Sequence, residues 1–175
     1  MLKKEIIHKI IRVNHAGEYG AKRIYEGQIA FTKEPNEKAK IQEMLDGEKE
    51  HLDFFNKEIA KENIRPTILF PIWHISGYAL GAITAIMGKK SAMACTYAVE
   101  EIIEDHYQKQ INQLKNSKDK EQINLCKKIK KFQEDEMHHQ DIALKNEALK
   151  APFYKIMANI IAKSSKTAIW LSERF

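Results

Sequence analysis

The chain has 175 residues, 43% of them hydrophobic and 30% charged, which suits one domain with a proper core. A net charge of +5 is compatible with an anionic surface. No nucleic-acid motif and no basic stripe interleaved with aromatics accompanies it, so no nucleic acid is expected as a partner. Proline (4) and glycine (7) are scarce, strand-like alternation is absent, and runs rich in Lys, Glu, Ala, Ile and Gln predict an all-α fold. Cys95 and Cys126 are isolated, with no CxxC, and read as free core thiols of a reducing compartment. The start, MLKKEIIHKIIRVNHAG, has no signal-peptide apolar region or cleavage site, so the protein is not expected to be exported.

A first helix is predicted over residues 4 to about 31, with Ile7, Ile11, Tyr25 and Ile29 on one stripe. Glu18 falls on that stripe, and the flanking Gly17 and Gly20 lower helix propensity. Small residues there let a helix or a ligand approach closely. Lys33 to Asn36 breaks the chain. A second helix, about 36 to 62, carries Glu48 and His51 among Ile41, Met44, Leu52 and Phe55.

Residues 67 to 88 contain no Asp, Glu, Lys or Arg. Three readings are open for them: a helix or hairpin dipping into a membrane face, a buried bundle element, or a membrane span. A span would put the two halves of any shared site on opposite sides of the bilayer, which ranks it last. A further helix, about 91 to 116, sets Met93, Tyr97, Glu100, Ile103, Tyr107, Ile111 and Leu114 at core spacing. After the break at Asn116 to Asp119, a helix over 120 to 147 places Glu136 and His139 on the stripe of Leu125, Ile129 and Phe132. A last helix, Phe153 to Leu171, follows Pro152 with an apolar face expected to pack on the bundle.

The chain therefore sets carboxylates and imidazoles where Leu or Ile belongs. Burying them unpaired would cost several kcal/mol, roughly. Each half supplies one Glu and one Glu-x-x-His: Glu18 then Glu48 with His51, and Glu100 then Glu136 with His139. Four Glu and two His in this order form the ligand set of a two-metal carboxylate centre in a four-helix bundle, filled by iron or manganese. His138 points about 100° away from His139 and is not a ligand. His15 is either a supporting partner of Glu18 or a partly exposed helix histidine. Tyr25 and Tyr107, seven residues beyond Glu18 and Glu100, either approach the site or pack in the core, with core packing the favoured reading, and His106 is read as a satisfied polar residue.

The stretches RVNHAGEYGAKRIYEGQ (12 to 28), GEKEHLDFF (47 to 55), residues 65 to 101 ending in AMACTYAVEE, DEMHHQDIAL (135 to 144) and the terminal LSERF resemble the demethoxyubiquinone hydroxylase family of ubiquinone biosynthesis. The resemblance covers nearly the whole chain. Asn14 departs from the Asp that is common there. It implies a single ferritin-like di-iron domain over residues 1–175, a four-helix bundle with an extra apolar membrane-associating segment and a C-terminal helix. The ligands it implies are Glu18, Glu48, His51, Glu100, Glu136 and His139, with two Fe ions per chain. It further implies a monooxygenase that uses O2 to hydroxylate a polyprenylated methoxy-benzoquinol, with electrons from NADH or a reductase. No Gly-rich nucleotide fingerprint is present to hold NADH in a Rossmann manner. Such a substrate implies peripheral association with a membrane. That membrane is the cytoplasmic face of the cell membrane, or an inner organelle membrane if the chain is a mature organellar form. A homo-oligomer and an accessory lipid-binding or biosynthetic-complex protein stay open. The competing readings are a ferritin-like iron oxidase or store, and a non-catalytic helical membrane adaptor.

Overall fold

The computed structural model describes residues 4–175, which contain six α-helices and no strand. Helix α1 spans Lys4–Phe31 and α2 spans Pro35–Glu62. Pro35 sits in the first turn of α2, where a missing N–H costs nothing. Asn63 then ends the helix in the left-handed conformation at φ 51°. Helix α3 is Phe70–Ile86 and α4 is Lys89–Leu114, with Gly88 turning the chain between them at φ 107°. Helix α5, Lys120–Lys145, is capped by Asp119, whose carboxylate accepts the Glu121 and Gln122 N–H groups at 3.0 Å. A 3-10 turn at Ala148–Lys150 leads to α6, Tyr154–Ser172.

The four long helices α1, α2, α4 and α5 enclose the core, which is divided into layers. One apolar cluster contains Ile11, Phe55, Tyr107 and Phe132. Another contains Tyr25, Met44, Met93 and Ala143. Chain order fixes the directions. Helices α1 and α5 run from the first cluster to the second, and α2 and α4 run from the second to the first. Because α2 and α4 are parallel, the chain must travel back along the bundle between them. Helix α3 makes that return, lying alongside α1.

Glycines let α3 and α1 approach closely. A Cβ on Gly81 would lie 1.9 Å from the Ile24 carbonyl oxygen, and one on Gly27 would lie 2.2 Å from that of Tyr78. The face of α3 turned to the bundle holds Gly77, Gly81, Ala82 and Thr84, while Ile72, Ile75, Ile83 and Ile86 are exposed. The charge-free stretch thus holds one helix, Phe70–Ile86, rather than a hairpin, and only one face of it is a bundle element. No helix among the described residues is long and apolar enough to cross a membrane.

Two packing expectations hold in part. Helix α6 packs one face on the bundle, with Ile161 buried and Tyr154, Met157 and Ala158 against the core, but it leaves Ile156, Ile160 and Trp170 exposed. It meets the bundle mainly along α4, beside elements that already fill the core. On α4, Ile102 is buried while Tyr97 and Ile103 are only partly so, because α3, α5 and α6 cover that helix on several sides.

Gly81→Ala and Gly27→Ala would force backbone apart from backbone. Each is expected to lower the melting temperature by about 4–8 °C, read by circular dichroism.

Candidate metal centre

Between the two apolar clusters lies a polar layer. Glu18 (α1), Glu48 and His51 (α2), Glu100 (α4), and Glu136 and His139 (α5) are all buried, none more than 5% exposed. Helical spacing explains this placement. On α1, Glu18 lies two turns from both Ile11 and Tyr25, on the same face. The three-residue step from Glu48 to His51, and from Glu136 to His139, turns both side chains of each pair inward.

The six residues form two groups that share two members. Glu18, Glu48, His51 and Glu136 bring one donor atom each to within 4.8 Å of one another, and so do Glu48, Glu100, Glu136 and His139. Glu136 links the groups directly. Its Oε1 lies 3.2 Å from His51 Nδ1 and its Oε2 3.1 Å from His139 Nδ1. Glu48 Oε1 is 3.3 Å from His139 Nδ1, and Glu18 Oε2 is 3.3 Å from His51 Nδ1.

Protein groups do not satisfy this layer. Glu18 Oε2, both oxygens of Glu48, His51 Nδ1, Glu100 Oε2 and Glu136 Oε1 are buried with no hydrogen-bond partner. They make up six of the twelve such side-chain atoms among the described residues, so the shortfall is concentrated here. Five of the six are carboxylate oxygens, which need a proton or a cation. Four carboxylates match the charge of two divalent ions, and mixed oxygen and imidazole donors suit iron or manganese. The donor set fits such a pair.

The electrostatics show the same shortfall. Burial first, then repulsion from Glu136, raises Glu48 and Glu100 well above the usual carboxylate range. Burial works to lower His51, but the Glu136 and Glu18 carboxylates override it and raise the imidazole to about 12. His139 is raised too, because Glu136 outweighs its burial. Burial works to raise Glu136, yet His139 and His51 hold it at about 2. Protons therefore occupy positions where cations would serve.

Several further residues support the layer. Tyr25 Oη donates to Glu100 Oε1 at 2.5 Å, and Tyr107 Oη donates to Glu18 Oε1. Each tyrosine thus packs in the core and also reaches the carboxylate of the other helix, so both readings of it hold. Burial, then the nearby carboxylate, raises both phenols, which keeps them donors. Asp135 Oδ2 lies 3.1 Å from His51 Nε2 and orients that ring. A Cβ at Gly47 would stand 3.2 Å from His139 Nε2, so the glycine leaves room for the imidazole. The only advance signal for Asp135 was its place beside Glu136.

The other predicted residues lie outside the centre. His15 is buried and sits 2.7 Å from Asn56 of α2. His138 is exposed, with Glu43 as its ion partner. His106 pairs with Gln110, whose amide also exchanges hydrogen bonds with Asn14 at 2.8 Å. An apolar cleft of about 310 Å³ lies between α1, α3, α4 and α6, lined by sequence neighbours of Glu18 and Glu100 but by none of the six cluster residues. Gly17, Gly20, Trp73, Val99, Ile103 and Ser172 are among the residues that line it.

Fold and site together define a helical bundle with a buried twin carboxylate–histidine cluster able to hold metal. The family described as ubiquinone biosynthesis protein COQ7 matches residues 5–172. The chain belongs to that family. It is 50% identical over 99% of its length, and 79% of the relative's, to a mitochondrial NADPH-dependent 3-demethoxyubiquinone 3-hydroxylase of Dictyostelium discoideum. It is 46% identical to the human protein of the same name, covering 99% of this chain and 80% of that one. It is 41% identical to the 3-demethoxyubiquinol 3-hydroxylase of Rhodospirillum rubrum, covering 97% and 78%.

The pKa shifts fix how the metal-free protein responds to pH. Raised Glu48, Glu100, His51 and His139 mean that folding takes up protons, so stability falls as pH rises past the ordinary imidazole value of 6.5. Glu136 has the opposite sign, but its contribution is lost only as pH falls from 4.5 toward about 2. The urea midpoint of metal-free protein is expected to be higher at pH 6 than at pH 9. Saturating divalent iron should flatten or reverse that slope, because it displaces the same protons.

Proposed function

We propose that this chain is a ferritin-like di-iron monooxygenase that hydroxylates a polyprenylated methoxy-benzoquinol, demethoxyubiquinol, in ubiquinone biosynthesis. The observation that carries the reading is the convergence of four Glu and two His in a buried layer with unsatisfied oxygens. The relatives' names supply the substrate class. The parallel run of α2 and α4, joined by α3, supports a ferritin-like reading, since bundles of that class have one long crossover. In this reading residues 1–175 act as one domain.

Glu18 and His51 would hold one iron, Glu100 and His139 the other, and Glu48 and Glu136 would serve both. The bound pair supplies reductive activation of O2, one atom entering the ring as a hydroxyl and the other leaving as water. The two electrons come from outside the bundle, and NADPH stands in the names of the Dictyostelium and human relatives. The chain's own residues do the rest. Tyr25 and Tyr107 hold Glu100 and Glu18 in place from across the bundle. Asp135 fixes the tautomer of His51, leaving Nδ1 to face inward. The apolar clusters above and below keep water from the centre.

The cleft beside α1 takes the ring, and the exposed faces of α3 and α6 rest on the membrane that holds the isoprenoid tail. Ile72, Ile75, Ile83 and Ile86 on α3, with Ile156, Ile160 and Trp170 on α6, give that surface its apolar area. The setting is peripheral, on the cytoplasmic face of the cell membrane or on an inner organelle membrane. The mitochondrial names of two of the relatives support the second.

Glu136→Ala and His139→Ala are each expected to abolish hydroxylation and lose iron by metal analysis, and to lower the stability of the metal-free protein, because each removes one partner of the buried Glu136–His139 pair and leaves the other uncompensated. Full activity in either variant rejects the centre. Cells lacking the protein should accumulate the demethoxy precursor by mass spectrometry, and iron retained as a mineral without quinol product would favour an iron store. Ile75→Glu with Ile83→Glu should abolish flotation with phospholipid vesicles while leaving iron content intact. Unchanged flotation rejects the membrane face.

A further inference from the structure

The cleft contains a feature that helix formation and packing do not explain. Gly17 and Gly20 stand in the middle of α1, where glycine weakens a helix more than any residue except proline. Neither has positive φ, so no turn requires them. Neither meets another helix through its missing side chain, since a Cβ built on either has nothing within 4 Å. The other helical glycines differ. Cβ atoms on Gly27, Gly77 and Gly81 would run into backbone at 3.0 Å or less, and one on Gly47 would crowd His139 at 3.2 Å. At Gly17 and Gly20 helix stability is given up and no protein contact is gained.

Both line the apolar cleft, and they flank Glu18 in sequence. Across from α1 the wall includes Val99, Ile102 and Ile103 of α4, next to and beyond Glu100. The cleft thus runs along the two helix segments that contribute the two unshared carboxylates of the centre. A methyl group at either glycine would stand in its open space. With both positions bare, α1 presents a flat strip of backbone as one side of the cleft, the shape a planar ring fits.

We propose that Gly17 and Gly20 are specificity-determining residues that set the width of the cleft for the substituted benzoquinol ring. This inference rests on the function proposed above. In an apolar pocket one extra methylene changes discrimination by roughly 10–200-fold, so a single methyl group is enough to close the fit.

The test uses the iron-loaded, full-length protein, its Gly17→Ala and Gly20→Ala variants, and a demethoxy-benzoquinone probe with a short isoprenoid tail. Without reductant there is no turnover, and binding is read by quenching of Trp73, which lines the cleft, whereas Trp170 lies outside it and is exposed. Each variant is expected to melt about 2 °C higher. Each should keep its iron, and should bind the probe at least about tenfold more weakly. With reductant and O2, kcat/KM for the quinol should fall in parallel. Wild-type binding in both alanine variants overturns the inference and leaves the hydroxylase reading standing. A lowered melting point overturns it too, because it would reveal a packing role. A wild-type protein that neither binds the quinone nor hydroxylates the quinol removes both readings together.

Discussion

Six ionisable side chains are buried between two apolar clusters, and the rest of the molecule is arranged to tolerate them. Glu18, Glu48, Glu100 and Glu136 cannot all be charged in a dry interior without something positive among them. Without a cation, the layer balances by holding protons: His51 is pushed up to about 12, and burial raises Glu48 and Glu100 well above the carboxylate range. The balance is incomplete, since six buried atoms of the layer have no hydrogen-bond partner. Tyr25, Tyr107 and Asp135 supply the few protein contacts that do reach it. A protein selected for stability alone would fill these positions with Leu and Ile.

The topology follows from the need to aim four helices at one layer. Each half of the chain is a helix, a turn and a return, bringing one Glu and one Glu-x-x-His inward. Joining two such halves with α2 and α4 parallel requires a connection as long as the bundle. Helix α3 provides it, and because the core is already filled, α3 can only lie outside, against α1. Glycine at positions 27, 77 and 81 lets it sit close, and its isoleucines are left facing outward. The connection and the apolar surface are therefore the same element.

How much of this was readable beforehand depended on the range of the interactions. The inward stripes on α1, α2, α4 and α5 repeat every three to four residues, so periodicity alone places Glu18, Glu48, His51, Glu100, Glu136 and His139 facing inward. The breaks at Pro35, Asn63 and Asp119 are local, and each ends or begins a helix as its chemistry dictates. The reach of Tyr25 to Glu100 spans 75 residues, and no local pattern contains it. Nor does periodicity show that a helix with an apolar stripe will find the core occupied. For that reason α6 reads as a packed helix yet exposes Ile156, Ile160 and Trp170. The charge-free stretch from 67 to 88 revealed its composition but not its length as a helix, because Pro71 and the glycines leave the boundaries undetermined.

The crossed tyrosines bear on how such a chain can assemble. Tyr25 belongs to the first half and donates to Glu100 of the second, and Tyr107 of the second donates to Glu18 of the first. Each hairpin thus carries the part that completes its sibling. A lone hairpin would lack the phenol that reaches its unshared carboxylate, so each half of the layer is completed only by the other. Two near-copies of one motif are bound in this way into a single obligate whole, whatever their separate ancestry.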